Sequence, residues 1–68
     1  MMKYNKEKYL GRTVQLYPGD TASKFGIISE VDDLGLTITI TESQSKDYVV
    51  GKEYFFMYGS KLFFMFVN

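Results

Sequence analysis

The stretch that most constrains this chain is YFFMYGSKLFFMFV, residues 54 to 67, two apolar runs separated by little more than Gly59, Ser60 and Lys61. It holds seven of the chain's twelve aromatic residues. Successive side chains of a strand point to opposite faces, so a strand packed on one side alternates apolar and polar residues. Leu62 to Val67 does not alternate: Leu62, Phe64 and Phe66 share one face, and Phe63, Met65 and Val67 share the other. Burying three large apolar side chains is worth roughly 5 to 9 kcal/mol, at about 1.5 to 3 for each. That rivals the whole net stability of a small domain. A small barrel has one interior, so the outer set needs another cover. A helix at the N-terminus offers few apolar residues for this. The cover implied is another copy of the chain, with strands of neighbouring protomers pairing edge to edge. Tyr54, Phe56, Phe63, Phe64, Met65 and Phe66 are the candidate interface. A surface that mates with a different surface on the next copy closes into a ring when the rotation allows.

Size sharpens the same point. Sixty-eight residues, 1–68, make one domain with a core of marginal size. With no cysteine, histidine or tryptophan, the chain has no disulfide, thiol nucleophile, imidazole base or usual zinc ligand. No enzymatic activity, metal or cofactor is expected. No run reaches the roughly 20 apolar residues of a spanning helix, and MMKYNKEKYLG lacks the apolar core of a signal peptide. A cytoplasmic protein without membrane contact is the expectation. Eight basic and eight acidic residues cancel, but Lys3, Lys6, Lys8 and Arg12 face only Glu7 in the first twelve positions. A neutral total disfavours nonspecific nucleic-acid binding, whereas a local basic patch still allows it.

Along the chain, Met2, Tyr9 and Leu10 among lysines predict a short amphipathic helix over residues 2–10, stopped at Gly11. From Arg12 the period changes. Val14 and Leu16 alternate with polar neighbours before the Pro18-Gly19-Asp20 turn, a first strand. Lys24 to Val31 reads as the second, ended by the tight turn Asp32-Asp33-Leu34-Gly35. The third sets Leu36, Ile38 and Ile40 against Thr37, Thr39 and Thr41. After a polar loop, Tyr48 to Val50 extends a strand or leads into one. Tyr54–Met57 and Leu62–Val67 are strands four and five. Such a chain predicts an all-β fold, a small five-stranded, curled and partly closed SH3-like barrel with a short N-terminal helix. Gly26 and Gly35 relieve crowding where strands bend.

Three side-chain sets invite chemistry. Glu30, Asp32 and Asp33 suggest a magnesium site, but Asp before Gly in a β-turn is ordinary turn chemistry and the stronger reading. Thr37, Thr39 and Thr41 have no base beside them and read as a solvated strand face. Lys8, Arg12, Lys24 and Lys61 are weighed equally as a phosphate-binding surface and as ordinary solubilising charge.

The order helix, L-G-x-x-V-x-L (Leu10 to Leu16), G-x-I-x-x-V-D (Gly26 to Asp32), a strand, then M-Y-G-S-K-L (Met57 to Leu62) resembles the Sm and Sm-like proteins over nearly the whole chain. Members of that family form rings by pairing the fourth strand of one subunit with the fifth of the next. The resemblance implies a homo-oligomeric Sm-like ring of about five to seven copies that binds single-stranded RNA in RNA metabolism. It also implies that Asp33, Leu34 and Gly35 lie beside Tyr58, Gly59, Ser60 and Lys61 near the ring's opening. The family's base-reading Asn falls at Leu36 and its Arg at Tyr58, so Tyr58 would offer a stacking face in place of a cation. A second resemblance, of Val14 to Ile28 to the KOW type of SH3-like module, implies a nucleic-acid- or protein-binding domain without ring assembly. It fits the first half of the chain better and leaves the apolar terminal hairpin without a role.

Overall fold

The computed structural model describes residues 5 to 67. One helical turn, α1 (Lys6–Tyr9), precedes five strands, β1 (Thr13–Leu16), β2 (Lys24–Val31), β3 (Gly35–Ser43), β4 (Glu53–Met57) and β5 (Phe64–Phe66). All are joined antiparallel in a single sheet of order β4-β3-β2-β1-β5. The sheet is not closed as a barrel: β4 and β5 stand at its opposite edges and pair with β3 and β1, not with each other.

The helix is shorter than its sequence pattern, and its expected start at Met2 lies outside the described residues. Asn5 caps it, its side-chain oxygen accepting the Glu7 and Lys8 amides at 2.9 and 3.3 Å. Its end is set by the sheet. Leu10 is extended, Gly11 takes φ 83, and the Gly11 amide donates to the Ile28 carbonyl at 2.7 Å. Residues 48–50, expected to enter a strand, form a turn instead, closed by Gly51 at φ 90, whose amide donates to the Ile40 carbonyl at 2.8 Å.

The core is aliphatic. Val14, Leu16, Ile28, Val31, Leu36, Ile38 and Ile40 are all buried on one face of β1, β2 and β3, in alternation except across the register shift between Ile28 and Glu30. No described aromatic residue is fully buried. Tyr9, Tyr17, Tyr48, Tyr54, Phe56, Tyr58, Phe64 and Phe66 instead ring the core, half-covered. Register shifts at Phe25/Gly26 and Ile28/Glu30 bend β2. A Cβ on Gly26 would lie 2.6 Å from Ile38 Cγ2 and 2.7 Å from the Thr39 carbonyl oxygen, so the close approach at the bend depends on glycine.

Candidate assembly edges and nucleic-acid interface

The two edge strands share an unusual property. On β4, Tyr54 and Phe56 lie opposite Ile38 and Leu36 and face the core, while Phe55 and Met57 point the other way and are exposed, Met57 by 59%. On β5, Phe66 and Phe64 lie opposite Val14 and Leu16 and face the core. Phe63, Met65 and Val67 point outward, Phe63 with 62% of its surface in water. Among the described residues each of these strands has one strand neighbour in the sheet, and each carries apolar side chains on both faces.

Helix α1 does not cover the outer set. Its Tyr9 packs instead on Phe66, ring centroids 5.3 Å apart, on the core side. Tyr9, Phe63, Phe64, Met65 and Phe66 line a shallow groove of about 230 Å³ along β5. Of the expected interface residues, Tyr54, Phe56, Phe64 and Phe66 are half-buried on the inner side of the edges, whereas Phe63 and Met65 are exposed outside them. Phe55, Met57 and Val67 join the outer set. Their signal was the missing alternation in Tyr54–Met57 and at the last position of the terminal run.

The two turns singled out for RNA lie together. Gly35 pairs with Met57 across β3 and β4, and the Tyr58 amide donates to the Leu34 carbonyl at 3.0 Å. The Tyr58 hydroxyl donates to the Asp32 carbonyl at 2.8 Å, so its half-buried ring is fastened to the β2–β3 turn. Gly59 at φ 90 and a Ser60 amide bonded to the Met57 carbonyl close the second turn. Gly59, Ser60 and Lys61 are exposed, as are Asp33 and Leu34, the latter by 68%. Gly35 is buried, and a Cβ there would collide with the Phe56 carbonyl oxygen.

Asp32 has the turn role expected of it. Its Oδ1 accepts the Leu34 and Gly35 amides at 2.9 and 3.0 Å, an Asx turn legible in Asp-Asp-Leu-Gly. That carboxylate is occupied by the backbone, and among the described residues no three acidic side chains gather as a metal site.

The four-cation surface does not form. Lys24 is only 4% exposed, its ammonium donating to Asp20 Oδ2 at 3.0 Å and to the Ala22 carbonyl at 2.8 Å. The Arg12 guanidinium lies over the Phe66 ring, 3.9 Å from its centroid. The outer face of β3 is not fully solvated either: Thr37 and Thr39 are half-buried, and the Thr39 hydroxyl donates to Ser29 Oγ at 3.0 Å. No helix among the described residues is long and apolar enough to cross a membrane.

Comparison with protein-family models, with curated proteins and with solved structures finds no match to this chain.

Proposed function

We propose that the chain is a ring-forming, Sm-like subunit in which β4 of one copy pairs with β5 of the next, the curled sheet serving as an SH3-like barrel wall. The observation that carries this reading is the pair of outermost strands among the described residues, each apolar on both faces. Joining them satisfies edge backbone groups and covers Phe55 and Met57 of one copy with Phe63, Met65 and Val67 of its neighbour. Covering the exposed half of those five side chains is worth roughly 4 to 8 kcal/mol, taking half of the usual value for each. That is of the order of the stability of the domain itself. Two different surfaces meet in such a contact, so it propagates until the ring closes.

The assembled ring binds single-stranded RNA with modest affinity and without catalysis, at the joined turns Asp33–Gly35 and Tyr58–Lys61 repeated once per copy. Repetition raises the effective concentration of a weak site. The Tyr58 ring edge and the exposed Leu34 offer apolar surface to a base, Lys61 meets a phosphate, and Asp33 accepts from a base edge. A fluorescence-anisotropy titration of short single-stranded oligonucleotides at low salt tests this. The wild-type assembly should bind, more weakly as salt rises, and Lys61→Ala should bind more weakly with a flatter salt dependence. If the wild type binds none of them, RNA is the wrong ligand and a protein partner takes its place. The burial of Lys24 against Asp20, which withdraws one cation from any phosphate surface, favours that second reading.

A further inference from the structure

At the end of the sheet opposite the β2–β3 turn lies an open, solvent-facing cavity of about 420 Å³, between the β1–β2 connection and the β3–β4 loop. Tyr17 and Tyr48 are two of its walls. Tyr48 is braced from behind by Tyr54, ring centroids 5.1 Å apart and nearly perpendicular. Tyr17 has a left-handed backbone, φ 46, a conformation that costs a non-glycine residue energy and is kept only where surrounding contacts demand it. Those contacts run from the Tyr17 amide to the Phe63 carbonyl at 2.8 Å and from the Asp20 amide to the Tyr17 carbonyl at 2.9 Å.

The charges in the lining do not cancel. Lys24 and Asp20 neutralise one another, and two of the three ammonium protons of Lys24 are committed to Asp20 and Ala22. Asp47, whose amide is bonded to Ser45 Oγ at 3.1 Å, makes no ion pair among the described residues. Its negative charge is felt at Tyr48, whose hydroxyl is held protonated above its ordinary range, first by burial, then by Tyr17 and by Asp47. The cavity thus combines aromatic walls, neutral hydroxyls and one uncompensated carboxylate. Rings elsewhere in the same molecule take cations, Arg12 on Phe66 at 3.9 Å and Lys8 on Tyr9 at 5.8 Å, and within the site the Lys24 ammonium lies 5.9 Å from the Tyr17 centroid.

We infer that this cavity binds an organic cation, a guanidinium or alkylammonium group on a slender apolar stem, with the charge beside Asp47 and the stem against Tyr48 and Tyr17. The aromatic faces attract the cation, the carboxylate pairs with it, and the neutral phenols accept its hydrogen bonds. A small anion drawn to Lys24 is the competing occupant, opposed by Asp20 and Asp47 on either side of it. The site stands apart from the RNA surface and is tested without RNA.

The test is a two-dimensional amide NMR titration of the full chain with agmatine, and separately with inorganic phosphate and acetate, against sodium chloride at matched ionic strength. Agmatine should shift the Ser45, Asp47 and Tyr48 amides saturably, with a dissociation constant on the order of millimolar, and leave Gly59 and Ser60 unmoved. Asp47→Asn, at an exposed loop position, should keep the fold and weaken agmatine about tenfold. No agmatine shift beyond the salt control, an unchanged affinity in Asp47→Asn, or phosphate moving these amides while agmatine does not, would overturn the assignment.

Discussion

Single residues in this protein do their work mostly through backbone geometry. Gly35 is the clearest case: β3 and β4 approach so closely there that an added Cβ would meet the Phe56 carbonyl oxygen and lie 2.9 Å from the Met57 Cα. Gly35→Ala should therefore lower the unfolding free energy by about 1 to 3 kcal/mol, the usual range for overpacking, as read from the urea midpoint. An unchanged midpoint would mean that the two strands can separate without loss. Tyr48 carries a pH signature. Because the folded protein holds its phenol protonated above the ordinary tyrosine value of about 10, folding is favoured by the neutral form. That stability is fully present below the unfolded value and is lost as pH rises through the raised folded one, since the unfolded chain ionises first. The urea midpoint should stay level on this account up to about pH 9 and fall above it, and Tyr48→Phe should show a shallower alkaline fall than the wild type. Equal falls in the two proteins would place the alkaline sensitivity elsewhere. Gly35 was legible in the sequence as a place of crowding. Tyr48 was not, because its surroundings come from the β1–β2 connection, some thirty positions away.

Whole elements show where local pattern governs and where tertiary contact overrides it. The strand expected over Lys24–Val31 has those bounds, and the Ile/Thr alternation marked β3 within a residue or two at each end. Both lie mid-sheet, where one face is buried and the period-two pattern is enforced. The departures lie at the ends. Helix α1 is a single turn because it begins only after the Asn5 cap, its end at Gly11 being the expected one, and residues 48–50 turn away because Gly51 bonds β3. For the two-faced edges, alternation told which side chains share a face, and Phe63, Met65 and Val67 are indeed the exposed set. It could not tell which partner strand each edge would lack, since that is a matter of sheet order. The edges yield a sharp expectation. Phe55→Lys damages only the β4 surface and Phe63→Lys only the β5 surface, and both side chains are exposed in the protomer, so each variant should fold yet fail to assemble. Mixed together, they should form a heterodimer of twice the 7.9 kDa protomer mass, because the intact β5 of the first fits the intact β4 of the second. Native mass spectrometry reads this directly. Variants that assemble unaided, or a mixture that stays monomeric, would place the interface elsewhere.

At the scale of the whole molecule, the arrangement of apolar residues is inverted from that of a self-sufficient domain. A small aliphatic core is surrounded by aromatic residues left half-covered at the perimeter, four of them on the two outermost strands of the described sheet. A monomer would leave this surface in water and both edges open to uncontrolled pairing. A closed ring removes both liabilities at once, with every protomer using the same two surfaces. The most direct measurement is therefore the native mass of the wild-type chain, by sedimentation velocity at micromolar concentrations. A closed ring gives a single sharp species at an integer multiple of 7.9 kDa whose size does not grow with concentration. A monomer that persists as concentration is raised, or a ladder of sizes that lengthens without limit, would contradict pairing of β4 to β5 around a closed ring.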